Sequence, residues 1–581
     1  MKQHLILIYC LFFFCCSCSK ENDPDGTAGQ HGDGTSITFE ISGIDNGTQV
    51  VDVNREQISK IHAASHSPQS ILYQKQEPFN EFCDAVVSLS EVPTNAQTSK
   101  KVLSAIGSRS TGEHGVKLSS TDMPIGRTYR VVLYEGGTQV ATLNATSGTA
   151  FTFSGAFRNR VYTWFAYSYN NSVPFTGNFD DTNPNISLSG NSGLLYASGT
   201  ITTSNTLNYN NKLNILFKEK SAIIELVVDA RGMFGTIGDI QVSNMTTGQL
   251  KNGVLNLRTG NFVSYSNAPL VNRSNSDFVN HNAALSDQVR RTNFYTVDAQ
   301  NQISNFKVNI STLTLRGDLY PEWGDPIVFT NREFTVATPF TPQHNKRYRV
   351  TITLIMTPKT IGSGTSRTEW ARGNLYVKGS GTPSAEYRMR FHAASNAYGI
   401  VASGSTSEAK GEYLNWRALS SGATAASSGT NDPCALVYPA GRWKMPTNTD
   451  INRLSSHSSR QFRHYGGRET IRLLRFDFSG SDNPYDPENR LSFPLYGYRN
   501  VNSYAVTGYN ISSSGTAYGY YWSGDQSSST NAYMLSIVSG GSTSGNFSLS
   551  SMAKNRGANI KCVRDLNWTS AQLPALPAAD Y

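Results

Sequence analysis

From Ile37 onward, apolar residues recur with a period of two over short runs, and Gly, Asn, Ser and Pro cut the runs apart. That pattern suits pleated strands with one buried face. It leaves little room for helices, whose apolar stripe repeats about every 3.6 residues. Ile37, Phe39 and Ile41 share one face of the first run. Arg127 to Tyr134 reads as a strand and Thr138 to Leu143 as its partner, with Gly136-Gly137 between them to take the left-handed conformations of a tight hairpin. Val161 to Tyr169, VYTWFAYSY, is apolar on both faces, as a central strand should be. Leu213, Ile215 and Phe217 alternate with more polar neighbours, and Ile223 to Val228 reads as a buried strand. Tyr348, Val350, Ile352, Leu354 and Met356 alternate with Arg349, Thr351 and Thr353, which predicts one core face and one wet face. One segment carries a helix start. Thr447 can cap it after Pro446, Asp450 can complete a capping box, and Ile451 and Leu454 would face the core.

The first residues stand outside this pattern. Lys2 precedes an apolar run from Leu5 to Phe14, followed by Cys15-Cys16-Ser17-Cys18 and then Ser19-Lys20-Glu21-Asn22-Asp23. The run is shorter than the roughly 20 apolar residues of a membrane-spanning helix. It reads as a lipoprotein signal peptide over residues 1–17, with Cys18 as the lipidated residue; an ordinary secretory signal cut nearby is the alternative. Ser17 suits lipoprotein processing, while Cys15 stands where such signals usually carry an aliphatic residue. An acyl anchor holds firmly because each buried methylene contributes about 0.8 kcal/mol. Lys20-Glu21 with Asp23 resembles the acidic export signal of surface lipoproteins in the phylum of gut and oral anaerobes. The expected location is therefore the outer membrane, facing out. Residues 18–36 show no apolar periodicity and read as a flexible leash.

At 581 residues the chain exceeds one core, and three domains of roughly 150–200 residues are expected. Pro174 and the polar run from Gly177 to Asn185 close the first, over 37–180. A second spans 185–360, Ile361 to Thr368 reads as a linker, a third spans 370–568, and 569–581 is a tail. Gly126-Arg127-Thr128-Tyr129-Arg130-Val131 is echoed by Lys346-Arg347-Tyr348-Arg349-Val350, as two related β-sandwiches would produce. Only 16% of residues are charged, and the positive charges behind the net +8 are scattered, so a nucleic-acid partner is not expected. Beyond the signal region lie Cys83, Cys434 and Cys562. An oxidising envelope would let Cys434 and Cys562 pair, with two buried thiols as the alternative. Cys83, in Asn80-Glu81-Phe82-Cys83-Asp84-Ala85-Val86-Val87, reads as a small buried apolar residue.

The chemistry expected is that of contact. The sequence has no His-Glu-x-x-His zinc helix, Gly-x-Ser-x-Gly elbow or Gly-Lys-Ser/Thr phosphate loop, so no catalytic residue, metal or cofactor is assigned. Asp477, Asp482, Asp486 and Glu488 crowd one stretch. They could form an acid–base pair for glycoside hydrolysis, coordinate calcium, or line a solvated loop. Tyr496, Tyr498, Tyr504, Tyr509, Tyr518, Tyr520, Tyr521 and Trp522 cluster, and strand alternation should bury half of them. Tyr498 and Tyr504, beside the turn Asn500-Val501-Asn502, are the candidate ligand contacts.

Three stretches carry a family resemblance. MPIGRTYRVVLYEGG, 123–137, with VYTWFAYSYNNSVP, 161–174, resembles the N-terminal sandwich of fimbrillins, the lipoprotein-derived pilins of the type V pilus. LLYASGTI, 194–201, with KLNILFKEKSAIIELVV, 212–228, resembles the second fimbrillin sandwich. DPCALVYPAGRWKMPTNTDINRL, 432–454, with YYWSG, 520–524, and NIKCVRD, 559–565, resembles a C-terminal module of surface lipoproteins and some tip pilins, related to C-type lectins. The resemblance implies a mainly β chain: two tandem transthyretin/immunoglobulin-like β-sandwiches, then an α+β C-type-lectin-like domain. It places Arg442, Trp443 and Trp522 in the module's shared framework, hence buried. The calcium-binding tripeptides Glu-Pro-Asn and Trp-Asn-Asp of sugar-binding C-type lectins are absent.

The resemblance also implies a mechanism. A surface protease cuts after an arginine, the N-terminal strand leaves, and a neighbouring subunit's strand fills the groove. Arg109, in Gly107-Ser108-Arg109-Ser110-Thr111-Gly112, and Arg55, in Val53-Asn54-Arg55-Glu56, are the candidate cut sites. The chain ends AQLPALPAADY, and Pro574 and Pro577 lack the ladder donors of a strand to be donated. An acceptor-only tip subunit is the resulting expectation. A stalk or anchor subunit, and a surface lipoprotein that binds or processes glycans, are the alternatives. The expected partners are other pilin subunits by strand exchange, a glycan or protein on a host or bacterial surface, and the outer membrane before assembly.

Overall fold

The structure is a computed structural model that describes residues 33–45, 71–80, 83–92, 120–190, 192–317, 326–377, 389–391, 413–420, 429–457, 460–465, 471–476, 491–501, 505–509, 514–541, 543–577 and 579. The chain is mainly β. An eight-stranded sheet holds β1 (Thr35–Asp45), β4 (Ser120–Thr121), β5 (Thr128–Glu135), β6 (Thr138–Thr146), β7 (Phe151–Ala156), β8 (Val161–Ser168), β10 (Leu195–Thr202) and β11 (Asn210–Glu219). Its order is β4-β1-β11-β10-β8-β5-β6, and β7 also pairs with β1. Gly136 and Gly137 make the β5–β6 turn at φ +55° and +88°, a region that costs a side-chain-bearing residue and not glycine. The doubly apolar β8 is central, between β10 and β5. Its Tyr162, Trp164 and Ala166 face a core with Ile37, Phe39 and Phe217. Its Phe165 and Tyr167 face a second core with Leu188 and Leu255. Those two come from β9 (Asn185–Leu188) and β14 (Lys251–Asn256), which form a three-stranded sheet with β15 (Asn261–Asn267).

A six-stranded sheet has the order β17-β18-β12-β21-β3-β2, built from β2 (Ile71–Pro78), β3 (Cys83–Glu91), β12 (Ala222–Gly232), β17 (Val279–Asn280), β18 (Val289–Thr296) and β21 (Arg347–Met356). It shares a core with the four-stranded sheet of β13 (Gly235–Asn244), β16 (Asn272–Arg273), β19 (Phe306–Gly317) and β20 (Ile327–Val336). Leu89, Leu226, Phe294 and Ile352 meet Ile240, Ile310, Leu313 and Phe334 there.

These pairings shift the expected boundaries. The hairpin β2–β3 falls within 37–180 yet joins the six-stranded sheet, while β10 and β11 fall within 185–360 yet complete the eight-stranded one. The physical reason is register. Ala85, Val87 and Leu89 lie opposite Leu354, Ile352 and Val350, so both strands send their apolar faces into one core. The face of β21 expected to be wet is buried, with Arg349 and Thr353 enclosed. The end of the third unit and the residues after it cover this sheet: Trp568 packs on Val86 and Ile355, and Leu573 and Leu576 pack beside Val227 and Val289. The expected linker is also ordered structure. β22 (Lys359–Ile361) pairs with β23 (Thr368–Trp370), and Ile361 is buried.

Among the described residues the third unit has short sheets and one α-helix. α1 (Asn448–Ser455) starts at the expected place, with Thr447 as its cap, a complete capping box to Asp450, and Ile451 and Leu454 in a core with Phe476, Phe493 and Leu535. The sheets involve β24 (Leu375–Val377), β25 (Met389–Phe391), β26 (Trp443–Lys444), β27 (Arg460–Tyr465), β28 (Ile471–Phe476), β29 (Leu491–Pro494), β30 (Tyr498–Arg499), β31 (Val506–Thr507), β32 (Ala517–Gln526), β33 (Asn531–Ser539), β34 (Gly545–Ala553) and β35 (Val563–Arg564). A disulfide joins Cys434 to Cys562, with Cα atoms 5.8 Å apart, beside the pairing of β26 with β35. Cys83 is a buried free thiol. Arg442, Trp443 and Trp522 are buried. The third unit is continuous with the core between the six- and four-stranded sheets: Phe391 meets Phe234 at 5.4 Å and Trp443 at 5.0 Å between ring centroids.

Candidate functional site

β1 is the first described strand and an interior one. On one side it runs parallel to β11, pairing Phe39 with Leu213 and Ile41 with Ile215. On the other it runs antiparallel to β7 and then to β4. Ile37 and Phe39 are fully buried, and Ile41 and Ile44 pack against the same core. Burying two such side chains contributes about 3–6 kcal/mol. Polar ties add register: Thr38 Oγ1 donates to Asn210 Oδ1 at 2.8 Å, Asn211 Nδ2 donates to the Ser36 carbonyl at 3.0 Å, and Lys218 lies 3.6 Å from Asp45. The strand bulges at Gly43, with φ +135°. A Cβ there would sit 2.6 Å from the Thr121 carbonyl oxygen, so only glycine fits.

This geometry defines a slot. Removing β1 would uncover Leu213, Ile215 and Phe217 along one wall and the edges of β11, β7 and β4, with their ladder groups unpaired. Any extended segment with apolar residues at alternate positions could refill it. Residues 46–70 join β1 to β2, which belongs to the other large sheet, so β1 is separable from the other described strands by a single break in that stretch. A break near residue 109 would instead release β2 and β3 with β1, and β3 buries Cys83, Val87 and Leu89 in the core between the six- and four-stranded sheets.

The C-terminal residues are held in place. Gln74 Nε2 donates to the Ser570 carbonyl at 2.7 Å. His281, whose pKa burial pushes down, places Nε2 2.8 Å from the Pro577 carbonyl, so the neutral imidazole donates there. Tyr438 links the third unit to the same sheet, donating to Asp229 at 3.0 Å and lying under the Arg231 guanidinium. Nearby, burial pushes the Glu225 carboxyl up, but Arg349, Arg347 and Arg291 outweigh it and hold its pKa at about 2.

Of the residues singled out in the sequence, Tyr498 is half-buried on β30. Cys18, Arg55, Arg109, Tyr504 and the carboxylates Asp477, Asp482, Asp486 and Glu488 lie outside the described residues. The structure brings Tyr498 to Tyr520, a member of the same aromatic cluster, and to Arg556, which lies well outside it in sequence. Arg556 carried no sequence signal, because its neighbours are polar and its partner lies far upstream. Burial, with Tyr518 and Tyr498 adjacent, pushes the Tyr520 hydroxyl up, so it remains a donor. Among the described residues no group of three or more His, Cys, Asp or Glu side chains is placed to hold a metal, and no helix is long and apolar enough to cross a membrane.

No protein-family model matches the chain, and no curated protein matches it. Among solved structures it is similar to a candidate cell adhesion protein from Bacteroides fragilis, at 12% identity and a TM-score of 0.28 over 44% of this chain and 94% of that one. It is also similar to the fimbrial anchor protein Mfa2 from Porphyromonas gingivalis, at 12% identity and a TM-score of 0.19 over 37% and 76% of the two chains. A candidate cell adhesion protein from Bacteroides ovatus gives 15% identity and a TM-score of 0.26 over 42% and 90%.

Proposed function

We propose that this chain is a fimbrial subunit that accepts a neighbour's strand in the slot occupied by β1, stands at the fimbrial tip, and presents its third unit for contact. The observation that carries the reading is β1 itself: an interior strand, laddered on both sides, whose chain continues into a different sheet. Cys18 tethers the subunit to the outer membrane until assembly. The two large sheet systems act as fimbrillin sandwiches and the third unit as a lectin-like contact domain, working by docking and not by catalysis. Residues 568–576 are not a strand held ready for donation, since Trp568, Leu573 and Leu576 already serve as cover for the six-stranded sheet. Sheet membership also favours Arg55 over Arg109 as the processing site, because a cut at 55 frees β1 alone.

N-terminal sequencing of the subunit from isolated fimbriae tests this. A start at Glu56 supports it, and an intact lipidated Cys18 contradicts it. Immunogold label confined to distal ends supports the tip position; label along the shaft or at the base contradicts it.

A further inference from the structure

The third unit carries a row of side chains that strand exchange leaves unused. Tyr518 and Tyr520 are two residues apart on β32, so both project from one face of the three-stranded sheet β32-β33-β34. Their ring planes lie within 3° of parallel, with centroids 6.1 Å apart. Tyr498 meets Tyr520 nearly edge-on at 5.4 Å. The Arg556 guanidinium lies over the Tyr498 ring, 4.9 Å from its centroid. The sheet's other face sends Tyr521, Leu535 and Ile537 into one core, while on the row's own face the next residue in step, Trp522, is buried in another.

All four members of the row are partly exposed. Tyr498 and Tyr520 pack one side against the buried core, which fixes their rings in place. Among the described residues, the three hydroxyls and the guanidinium make no hydrogen bond, and Arg556 faces no carboxylate. Exposed tyrosine faces suit the C–H faces of a sugar ring, and their hydroxyl tips can hydrogen-bond its substituents. A guanidinium without a counter-ion matches a carboxylate, which it can hold by two parallel hydrogen bonds.

We propose that the row Tyr518, Tyr520, Tyr498 and Arg556 binds a carboxylate-bearing sugar of a surface glycan. This rests on the contact role proposed for the third unit and names its ligand class. The rings grip the pyranose and Arg556 selects the acid, so neutral sugars bind weakly. Two sources share this chemistry: sialic acid on host glycans and uronic acid in bacterial polysaccharides.

Calorimetric titration of the full chain with sialyllactose, trigalacturonate and lactose tests the proposal. At least one acidic probe should bind at least tenfold more tightly than lactose, and its affinity should fall as salt is raised. Arg556→Gln should lower that affinity at least tenfold with lactose unchanged. Arg556→Lys, which keeps charge and bulk but loses the planar fork, should give an intermediate loss and serves if the first variant melts early. Tyr520→Phe should weaken both probe classes. Binding of sialyllactose alone assigns a host glycan, and of trigalacturonate alone a bacterial polysaccharide. Equal affinity for acidic and neutral probes, no binding of any probe, or unaltered acidic binding in Arg556→Gln would overturn the proposal. Fimbrial incorporation is read separately: a chain that incorporates but binds no probe sinks this inference alone, and a chain that binds acid but never incorporates sinks the assembly reading.

Discussion

Phe39→Ala is the sharpest probe of the slot. Phe39 is fully buried in β1 and packs in one core with Tyr129, Trp164 and Phe217. Truncating a buried Phe costs about 3–5 kcal/mol, from lost transfer energy and the cavity left behind. Because the strand is laddered on both sides, the loss should first appear as opening of β1, β7 and the adjoining edge of β11. At 1.4 kcal/mol per factor of ten, amide exchange in those strands should accelerate by about 10²- to 4 × 10³-fold. The pair β12–β21 belongs to another core and should keep its protection. Ile125→Ala is the control. That residue is 87% exposed, so its effect should stay within about 0.5 kcal/mol. Hydrogen exchange read by mass spectrometry resolves the strands separately. Acceleration below tenfold at β1, or equal loss in β12 and β21, would refute the reasoning that β1 is a discrete plug.

The remaining predictions concern other parts of the fold. Cys434→Ala opens the bridge across a sequence separation of 128, which the chain-entropy model values at about 5 kcal/mol; calorimetry should show the third unit melting earlier with the first sheet unmoved. The Glu225 pKa is held at about 2, below its ordinary value of 4.5, so its contribution is complete above 4.5 and disappears as pH falls toward 2. That loss is on the order of 3 kcal/mol, and Glu225→Gln should flatten the urea midpoint against pH over that window. Deleting residues 570–581 uncovers Val227, Val289 and their apolar neighbours, so binding of a hydrophobic dye should rise while fimbrial incorporation persists; lost incorporation would point to a donating subunit.

Local features were legible in the sequence. The capping box at Thr447 and Asp450, the Gly136-Gly137 turn and the alternating face of β1 each depend on residues a few positions apart. What the sequence hid is non-local. Nothing near Cys83 to Glu91 says that its partner begins at Arg347, because alternation sets which face is apolar and not which strand lies alongside. The burial of the outer face of β21 is hidden for the same reason: Arg349 and Thr353 look solvent-facing, and only the fold shows that Trp568 and its successors cover that sheet. The site followed the same rule. The aromatic run drew attention to Tyr498, but only the fold brings Arg556 to its ring.

Exchange of β1 is the central claim, and peptide uptake tests it most directly. A chain beginning at residue 46, incubated with a fluorescent peptide of residues 33–45, should bind it in a one-to-one complex that dissociates slowly and regains the protection of β11 and β7. A peptide with Phe39→Asp should fail to bind. A shortened chain that folds with β11 already protected and takes up no peptide would contradict the account.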